Sequence, residues 1–299
     1  MIIGAAAMVA VPSLREEVSA AVALYALHHG LVKGSLFLSV GLSGSRGGAS
    51  SFVRRAGQVA LALAMAAAPF TGGAAAKHAV KEIAHMKGHA ATFMPKWHHA
   101  KVGSAAHIHQ SLFKGDTNIF HDADAKLTMS DTMKSYVAGL IKYAPDMTVF
   151  LAPYVNSYKR FAKGTFAPTK IAWSIDNRTA GYRLCGDGTA AVRIECRIGG
   201  SDFNPYLALA AQLAAGLAGI EEVLPLADPV TGDLYESRDA PDMPASLRAA
   251  TECLRGSAML KSALGQDVVA HYVRCAEWEQ EEFDRVVTDW EIARGFERA

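Results

Sequence analysis

The chain has 299 residues, 51% of them apolar and 20% charged, with 30 basic side chains against 29 acidic ones and a formal charge of +1. That length carries one large domain or two ordinary ones, and the balanced charge removes any general electrostatic case for nucleic-acid binding, since no basic excess exists to neutralise phosphates. Cys185, Cys196, Cys253 and Cys275 lack paired metal spacing and are too few for a disulfide scaffold, which reads as free thiols in a reducing, cytoplasmic compartment.

The acids are unevenly spread: residues 1–77 hold only Glu16 and Glu17, and the other 27 of the 29 lie in residues 78–299. Residues 18–42 (VSAAVALYALHHGLVKGSLFLSVGL) form an apolar run above the roughly 20 residues that a bilayer span needs. A Gly/Ser/Arg segment follows, and then a shorter run, QVALALAMAAA, at 58–68. Arg15, Glu16 and Glu17, with no basic n-region before them, speak against a secretory signal. His28, His29 and Lys33 inside the first run fit either a costly intramembrane ionisable site or the polar stripe of a soluble, Ala-rich helix.

From residue 78 the charge density becomes ordinary. Residues 81–86 read as the end of a helix, 91–96 (ATFMPK) as a short strand stopped by Pro95, and 104–111 (SAAHIHQS) as another strand. Residues 113–125 read as a polar loop. Ser130 is the expected N-cap of a helix through Tyr143, with Asp146 opening the next segment. Asn204 and Pro205 cap and start a buried helix over YLALAAQLAAGLAGI. Residues 224–244 carry four prolines and read as loop, and two amphipathic helices, about 245–264 and 268–293, close the chain with a charge-alternating, solvated tail.

Two strand-like segments carry chemistry. In His107-Ile108-His109-Gln110-Ser111 the period of two puts His107, His109 and Ser111 on one face. That face suits a metal-ligating imidazole beside a nucleotide-binding pair, or is simply a polar strand surface. Arg193-Ile194-Glu195-Cys196-Arg197 likewise sets two guanidiniums beside one carboxylate, with Ile194 and Cys196 behind. Forked donors and a hard oxygen suit phosphate, carboxylate and Mg²⁺ together; the alternative is an Arg–Glu–Arg ion-pair ladder. Lys159, Arg160, Arg178, Arg183, Arg193 and Arg197 fall within about forty residues, as either an anion pocket or surface charge. GLSGSRGG is no phosphate-binding P-loop, because it lacks the terminal Lys-Ser/Thr.

GHAATFMPKW, GSAAHIHQS, NSYKRFAKGTFAP, DNRTAGYRL, RIECR and NPYLALAAQLAAGLAGI occur in the order of the glutamine synthetase catalytic domain, and residues 78–299 resemble that family. The closest likeness is to its type III or GlnT-like branch, related to γ-glutamylmethylamide synthetase. The resemblance implies an α+β fold, an antiparallel sheet with packed helices, preceded here by the apolar helical segment. It implies an ATP-dependent ligase in which Mg²⁺ or Mn²⁺ sits between ATP and glutamate, the γ-phosphoryl group passes to the glutamate side chain, and ammonia or an alkylamine attacks the acyl phosphate. By resemblance, His107 and Glu195 are metal ligands, and His109, Ser111, Arg178, Arg183 and Arg193 contact ATP. Gly103, Arg160 and Arg197 hold the amino acid, and Arg178 and Arg160 act in catalysis. Homo-oligomers are implied for full-length relatives. Tyr235 falls near a loop adenylylated in some members, but its surroundings differ, and it reads as an ordinary loop tyrosine.

Three departures accompany the likeness. Phe166 stands where ammonia-using members have a glutamate that closes the site, and Val102 where an asparagine commonly meets the substrate. The family's N-terminal domain and further carboxylate ligands are expected before residue 78, where this sequence is apolar. Residues 10–77, with HHGLVKGSLFLSVGL and APFTGGAAAK, instead resemble a fragment of a proton-antiporter-type membrane subunit. The expected organisation is therefore a membrane-like segment at 1–77, foreign to the rest and able to touch a membrane, joined to a truncated catalytic domain at 78–299. Such a chain is expected to be a weak or inactive ligase, a glutamate- or nucleotide-binding remnant, or a membrane-tethered fusion.

Overall fold

The computed structural model describes residues 72–298, so the apolar runs at 18–42 and 58–68 lie outside the described residues. Among the described residues, no helix is long and apolar enough to cross a membrane. The chain falls into two compact units, one holding residues 72–93 and 204–214, the other residues 94–203 and 215–298.

In the first unit, helix α1 (Gly72–Met86) ends where the sequence predicts and runs unbroken through the expected junction at 77/78. The Lys77 ammonium lies 5.5 Å from the centre of the Phe93 ring. The opening of helix α5 (Pro205–Glu221) also belongs here, with Asn204 Oδ1 accepting from the Tyr206 amide at 3.0 Å and Pro205 at the first helical position. This is the cap the sequence predicts, since proline has no amide to leave unsatisfied there.

The second unit is built on a four-stranded sheet in the order β1-β6-β5-β4, with β1 at Ile108–Gln110, β4 at Trp173–Ile175, β5 at Tyr182–Cys185 and β6 at Arg193–Cys196. The expectation of an antiparallel sheet is corrected at one edge, where β4 runs parallel to β5. Strands of three residues require only about 10 Å of return path. Residues 176–181 supply it, with Asp176 at φ 43° and the Asn177 side chain accepting from the Thr179 amide at 2.9 Å.

Other local expectations also change. Residues 91–96 form no strand, because the Lys96 backbone bonds to a side chain, Asn156, instead of a neighbouring strand. Of 104–111 only β1 is ladder, with Ala105 bridging Gly200. The polar loop at 113–125 contains a hairpin, β2 (Phe113–Lys114) and β3 (Thr117–Asn118), turned by Gly115 at φ 60°. The Gly115-Asp116 pair was a legible turn signal.

Helix α2 (Asp131–Lys142) starts at Ser130, whose Oγ accepts from the Met133 amide at 3.1 Å, with Asp131 and Lys142 at the ends where the helix dipole favours them. Met133, Tyr136, Val137 and Leu140 recur at helical spacing and are fully buried. The Tyr136 hydroxyl donates to Gln110 Oε1 at 2.7 Å, which ties this helix to β1. Helix α3 (Ala144–Leu151) follows directly, Asp146 in its first turn, and the one-turn helix α4 (Val155–Tyr158) comes next.

The two expected C-terminal helices are four: α6 (Leu247–Gly256), α7 (Ala258–Leu264), α8 (Gln266–Asp284) and α9 (Asp289–Glu297). Ser257 ends α6 and caps α7, and Gly265 at φ 99° breaks α7 from α8. The Phe150 and Tyr272 rings meet edge to face with centres 5.4 Å apart, which holds α3 against α8.

Close approach of α2 to the second half of α5 depends on absent side chains. A Cβ on Gly139 would lie 2.7 Å from the Gly219 Cα and collide with the Ala215 carbonyl, and one on Gly216 would enter the Tyr136 ring. Gly139→Ala should therefore lose about 1–3 kcal/mol in urea unfolding through overpacking, despite alanine's better helix propensity. Gly295→Ala in α9, where nothing lies within 4 Å, should cost nothing or stabilise slightly. Equal effects at the two positions would contradict the packing argument.

Candidate active site

Register across three strands makes the site. Glu195 on β6 sits opposite His109 on β1 and opposite Arg183 on β5, so one row of the sheet carries imidazole, carboxylate and guanidinium. Ile194 and Cys196 are fully buried on the other face, as the period of two predicts. The Glu195 face is also covered, and its carboxylate is 1% exposed.

That carboxylate is surrounded by donors. The Arg183 Nε lies 2.6 Å from Oε2, and Arg197 Nη1 donates to Oε1 at 3.2 Å and Oε2 at 3.3 Å. His107 Nδ1 lies 2.9 Å from Oε1, and His109 Nε2 3.5 Å. Burial alone would raise the Glu195 pKa, but the hydrogen bond from His107 and the charges of Arg197 and Arg183 outweigh it and hold it at about 2. Burial, with the nearby arginines, lowers the pKa of His109 against the opposing pull of the Glu195 charge.

The remaining predicted residues surround this core. Arg193 donates from Nε to His109 Nδ1 at 3.4 Å and from Nη1 to the Ala191 carbonyl at 3.2 Å. Arg197 Nε donates to the Arg178 carbonyl at 3.2 Å, which fixes the turn that presents the exposed Arg178 side chain. Arg160 is 3% exposed and donates to the carbonyl of Ile198, next to Arg197. Gly103 lies against the Arg160 stem, where an added Cβ would stand 2.7 Å from Cγ. Ser111 follows β1 half-buried and, among the described residues, takes no part in this bonded cluster. Lys159 points elsewhere, its ammonium 5.1 Å from the centre of the Phe283 ring.

Arg183, expected at the nucleotide, is also a direct partner of Glu195, a consequence of strand register that local spacing does not carry. Sequence reading missed one member of the cluster. The Cys185 thiol, one register step away opposite Arg193, lies 3.9 Å from Glu195 Oε2. Phe166 is 59% exposed at φ 56°. Its loop is anchored by the Tyr235 hydroxyl donating to the Ala167 carbonyl at 2.9 Å and by a Lys163–Glu236 ion pair at 3.0 Å. Val102 is likewise exposed.

Two guanidiniums, Arg183 and Arg197, meet the single carboxylate of Glu195, and a third, Arg193, bonds to His109 beside it, so the cluster carries an excess of positive charge. A hard divalent cation prefers about six oxygen ligands. Of that set Glu195 offers carboxylate oxygens and His107 only a ring nitrogen, and among the described residues no three His, Cys, Asp or Glu side chains are placed to hold a metal ion.

A mixed sheet with helices, carrying arginines and histidines around one buried carboxylate, is the class of domain that fold and site define. The chain belongs to the glutamine synthetase family, whose catalytic-domain model matches residues 64–295. It is 44% identical over 223 residues to a γ-glutamylethanolamide synthetase of Streptomyces coelicolor, covering 74% of this chain and 47% of the relative. It is 36% identical to a glutamate–isopropylamine ligase of Pseudomonas (73% of this chain, 48% of the relative) and 38% identical to a glutamine synthetase of Methanosarcina mazei (73% and 50%). A solved structure described as a GmaS/ADP complex superposes with a TM-score of 0.69 at 32% identity, covering 75% of this chain and 53% of that one. The chain thus spans about half the length of the curated relatives it matches.

A depressed carboxylate pKa stabilises the fold above its unfolded value of 4.5, and that contribution is lost as pH falls through about 2. Wild-type stability should therefore fall more steeply between those values than that of Glu195→Gln in parallel urea titrations. Near neutral pH, Glu195→Ala should cost about 3–5 kcal/mol, because Arg183 and Arg197 lose their counter-charge. Superimposable acid profiles for wild type and Glu195→Gln would show that the cluster does not hold the carboxylate ionised.

Proposed function

We propose that this chain carries the nucleotide- and glutamate-binding part of an ATP-dependent carboxylate–amine ligase. The observation that supports it most is the cluster of Arg183 and Arg197 set by the buried Glu195, with Arg193 bonded to His109 beside it and the Arg178 backbone held by Arg197. In this reading Arg178, Arg183 and Arg193, with His109 and Ser111, face the nucleotide, and Gly103, Arg160 and Arg197 hold glutamate. The γ-phosphate of ATP passes to the glutamate side-chain carboxylate, giving ADP and γ-glutamyl phosphate. Ammonia or an alkylamine then attacks the acyl carbon, phosphate leaves, and the amine loses a proton.

Charge spread over the transferring phosphoryl oxygens is neutralised by guanidiniums, of which Arg183 and Arg193 cost little reorganisation because Glu195, His109 and the Ala191 carbonyl already orient them. Arg178 and Arg160 are the residues we assign to catalysis. Mg²⁺ or Mn²⁺, when bound, would supply further charge neutralisation, with His107 and Glu195 as two of its ligands. The lack of a third such ligand among the described residues is what favours the second reading, a glutamate- or nucleotide-binding module without turnover. We further propose a homo-oligomeric assembly, testable by light scattering.

Phe166 points the same proposal at amine choice. An exposed aromatic ring offers an apolar, cation–π wall that suits an alkylammonium better than ammonium. The two named relatives that make γ-glutamyl amides of ethanolamine and isopropylamine are consistent with such a wall.

The test is phosphate release by the purified chain with glutamate, ATP, Mg²⁺ and either ammonia or methylamine. Turnover that falls about 100-fold or more in Arg178→Ala supports the ligase. Binding of ADP and glutamate without turnover supports the binding module, and binding of neither overturns both readings. Where turnover is present, Phe166→Glu should shift the ratio of kcat/KM values toward ammonia, and an unchanged ratio would remove Phe166 from the amine site.

A further inference from the structure

Asn156 and Arg160 lie four residues apart, at either end of the turn that contains α4. Arg160 faces the site, while Asn156 faces a loop. Its Oδ1 accepts from the Lys96 amide at 3.0 Å, and its Nδ2 donates to the Lys96 carbonyl at 2.8 Å. One half-buried carboxamide thus satisfies both backbone groups of a residue that has no strand partner.

The loop so held is closed on itself. The Ser104 amide donates to the Pro95 carbonyl at 2.8 Å, and the Lys96 ammonium, on a side chain 7% exposed, donates to the Lys101 carbonyl at 2.6 Å. Gly103 sits in the closing arm, wedged between that same Pro95 carbonyl and the Arg160 stem; a Cβ there would stand 2.5 Å from one and 2.7 Å from the other. A shift of the arm that carries Gly103 therefore changes its distance to the Arg160 stem. Beyond it, the chain is pinned independently before β1 begins, by the Ala105–Gly200 bridge and by the Ala106 amide donating to the Gly199 carbonyl at 3.1 Å. Loop motion is thereby insulated from His107, His109 and the strands that carry Arg183 and Arg193.

We propose that Asn156 is a positioning residue for the amino-acid substrate: by clamping Lys96 it fixes the gap between the Gly103 backbone and the Arg160 guanidinium, and so sets glutamate affinity without setting nucleotide affinity. This rests on the assignment of Gly103 and Arg160 to glutamate made above. Asn156 touches no substrate and acts through the loop.

The experiment is calorimetric titration of the full chain with L-glutamate and, separately, with ADP, for wild type, Asn156→Asp and Asn156→Leu, each checked for folding by circular dichroism and thermal melting. Asn156→Leu keeps the shape and removes both bonds; Asn156→Asp keeps the acceptor and loses the donor. The expected result is glutamate affinity down by about tenfold in Asn156→Leu and by less in Asn156→Asp, with ADP affinity within about twofold of wild type in both. Faster hydrogen exchange at the Lys96 and Ser104 amides should accompany the loss. Folded Asn156→Leu with glutamate affinity unchanged, or with both ligands weakened in parallel, would overturn the inference. A wild-type chain that binds ADP but no glutamate would instead overturn the assignment of Gly103 and Arg160 on which it stands.

Discussion

Placing a carboxylate under a sheet surface with 1% exposure costs several kcal/mol of lost hydration unless its oxygens are met by fixed donors. Glu195 meets that condition through two guanidiniums and an imidazole, and the same bonds reach outward to the rest of the site. Arg197 is held between Glu195 and the Arg178 carbonyl, so the turn after β4 is fastened to β6. Arg183 is drawn across from β5, and His107 and His109 are drawn in from β1. One buried negative charge thus collects residues from the three strands β1, β5 and β6 and from the turn after β4.

On the other face of the sheet, helix α2 is tied to β1 through one side chain. Tyr136, 1% exposed, spans the gap from α2 to the Gln110 side chain on β1, and it can lie there only because Gly216 leaves its ring room. Gly139 and Gly219 let the two helix backbones approach closely. Asn118, 8% exposed, donates to the Ala190 and Val192 carbonyls at 3.0 Å each, which seats the hairpin against the strand that carries Arg193. Small residues and a few satisfied polar side chains, more than large apolar ones, set the distances that the charged cluster needs.

The periphery is built on a different principle. The loops carrying Gly103 and Phe166 are each fastened at few points, the first by Asn156 and the second by Tyr235 and Lys163. Their tips are exposed at Val102 and Phe166. Loop side chains at these tips can change without disturbing the charges held by the sheet.

Local patterns in the sequence determined the pieces. The alternation of RIECR put Ile194 and Cys196 on the buried face, the Ser130 and Asn204 caps marked two helix starts, and the ordered motifs identified the family. These signals operate between residues a few positions apart, where backbone geometry alone fixes which side chains share a face. Which charges meet was decided only by tertiary structure. Arg183 reaches Glu195 through the register of β5 on β6, and His109 through pairing of strands more than eighty residues apart. Residues 91–96 look like a strand by composition, yet form none, and the Lys96 backbone bonds to the Asn156 side chain instead. A strand exists only with a partner, and a buried charge only with its counter-charges, so neither is a property of a segment by itself.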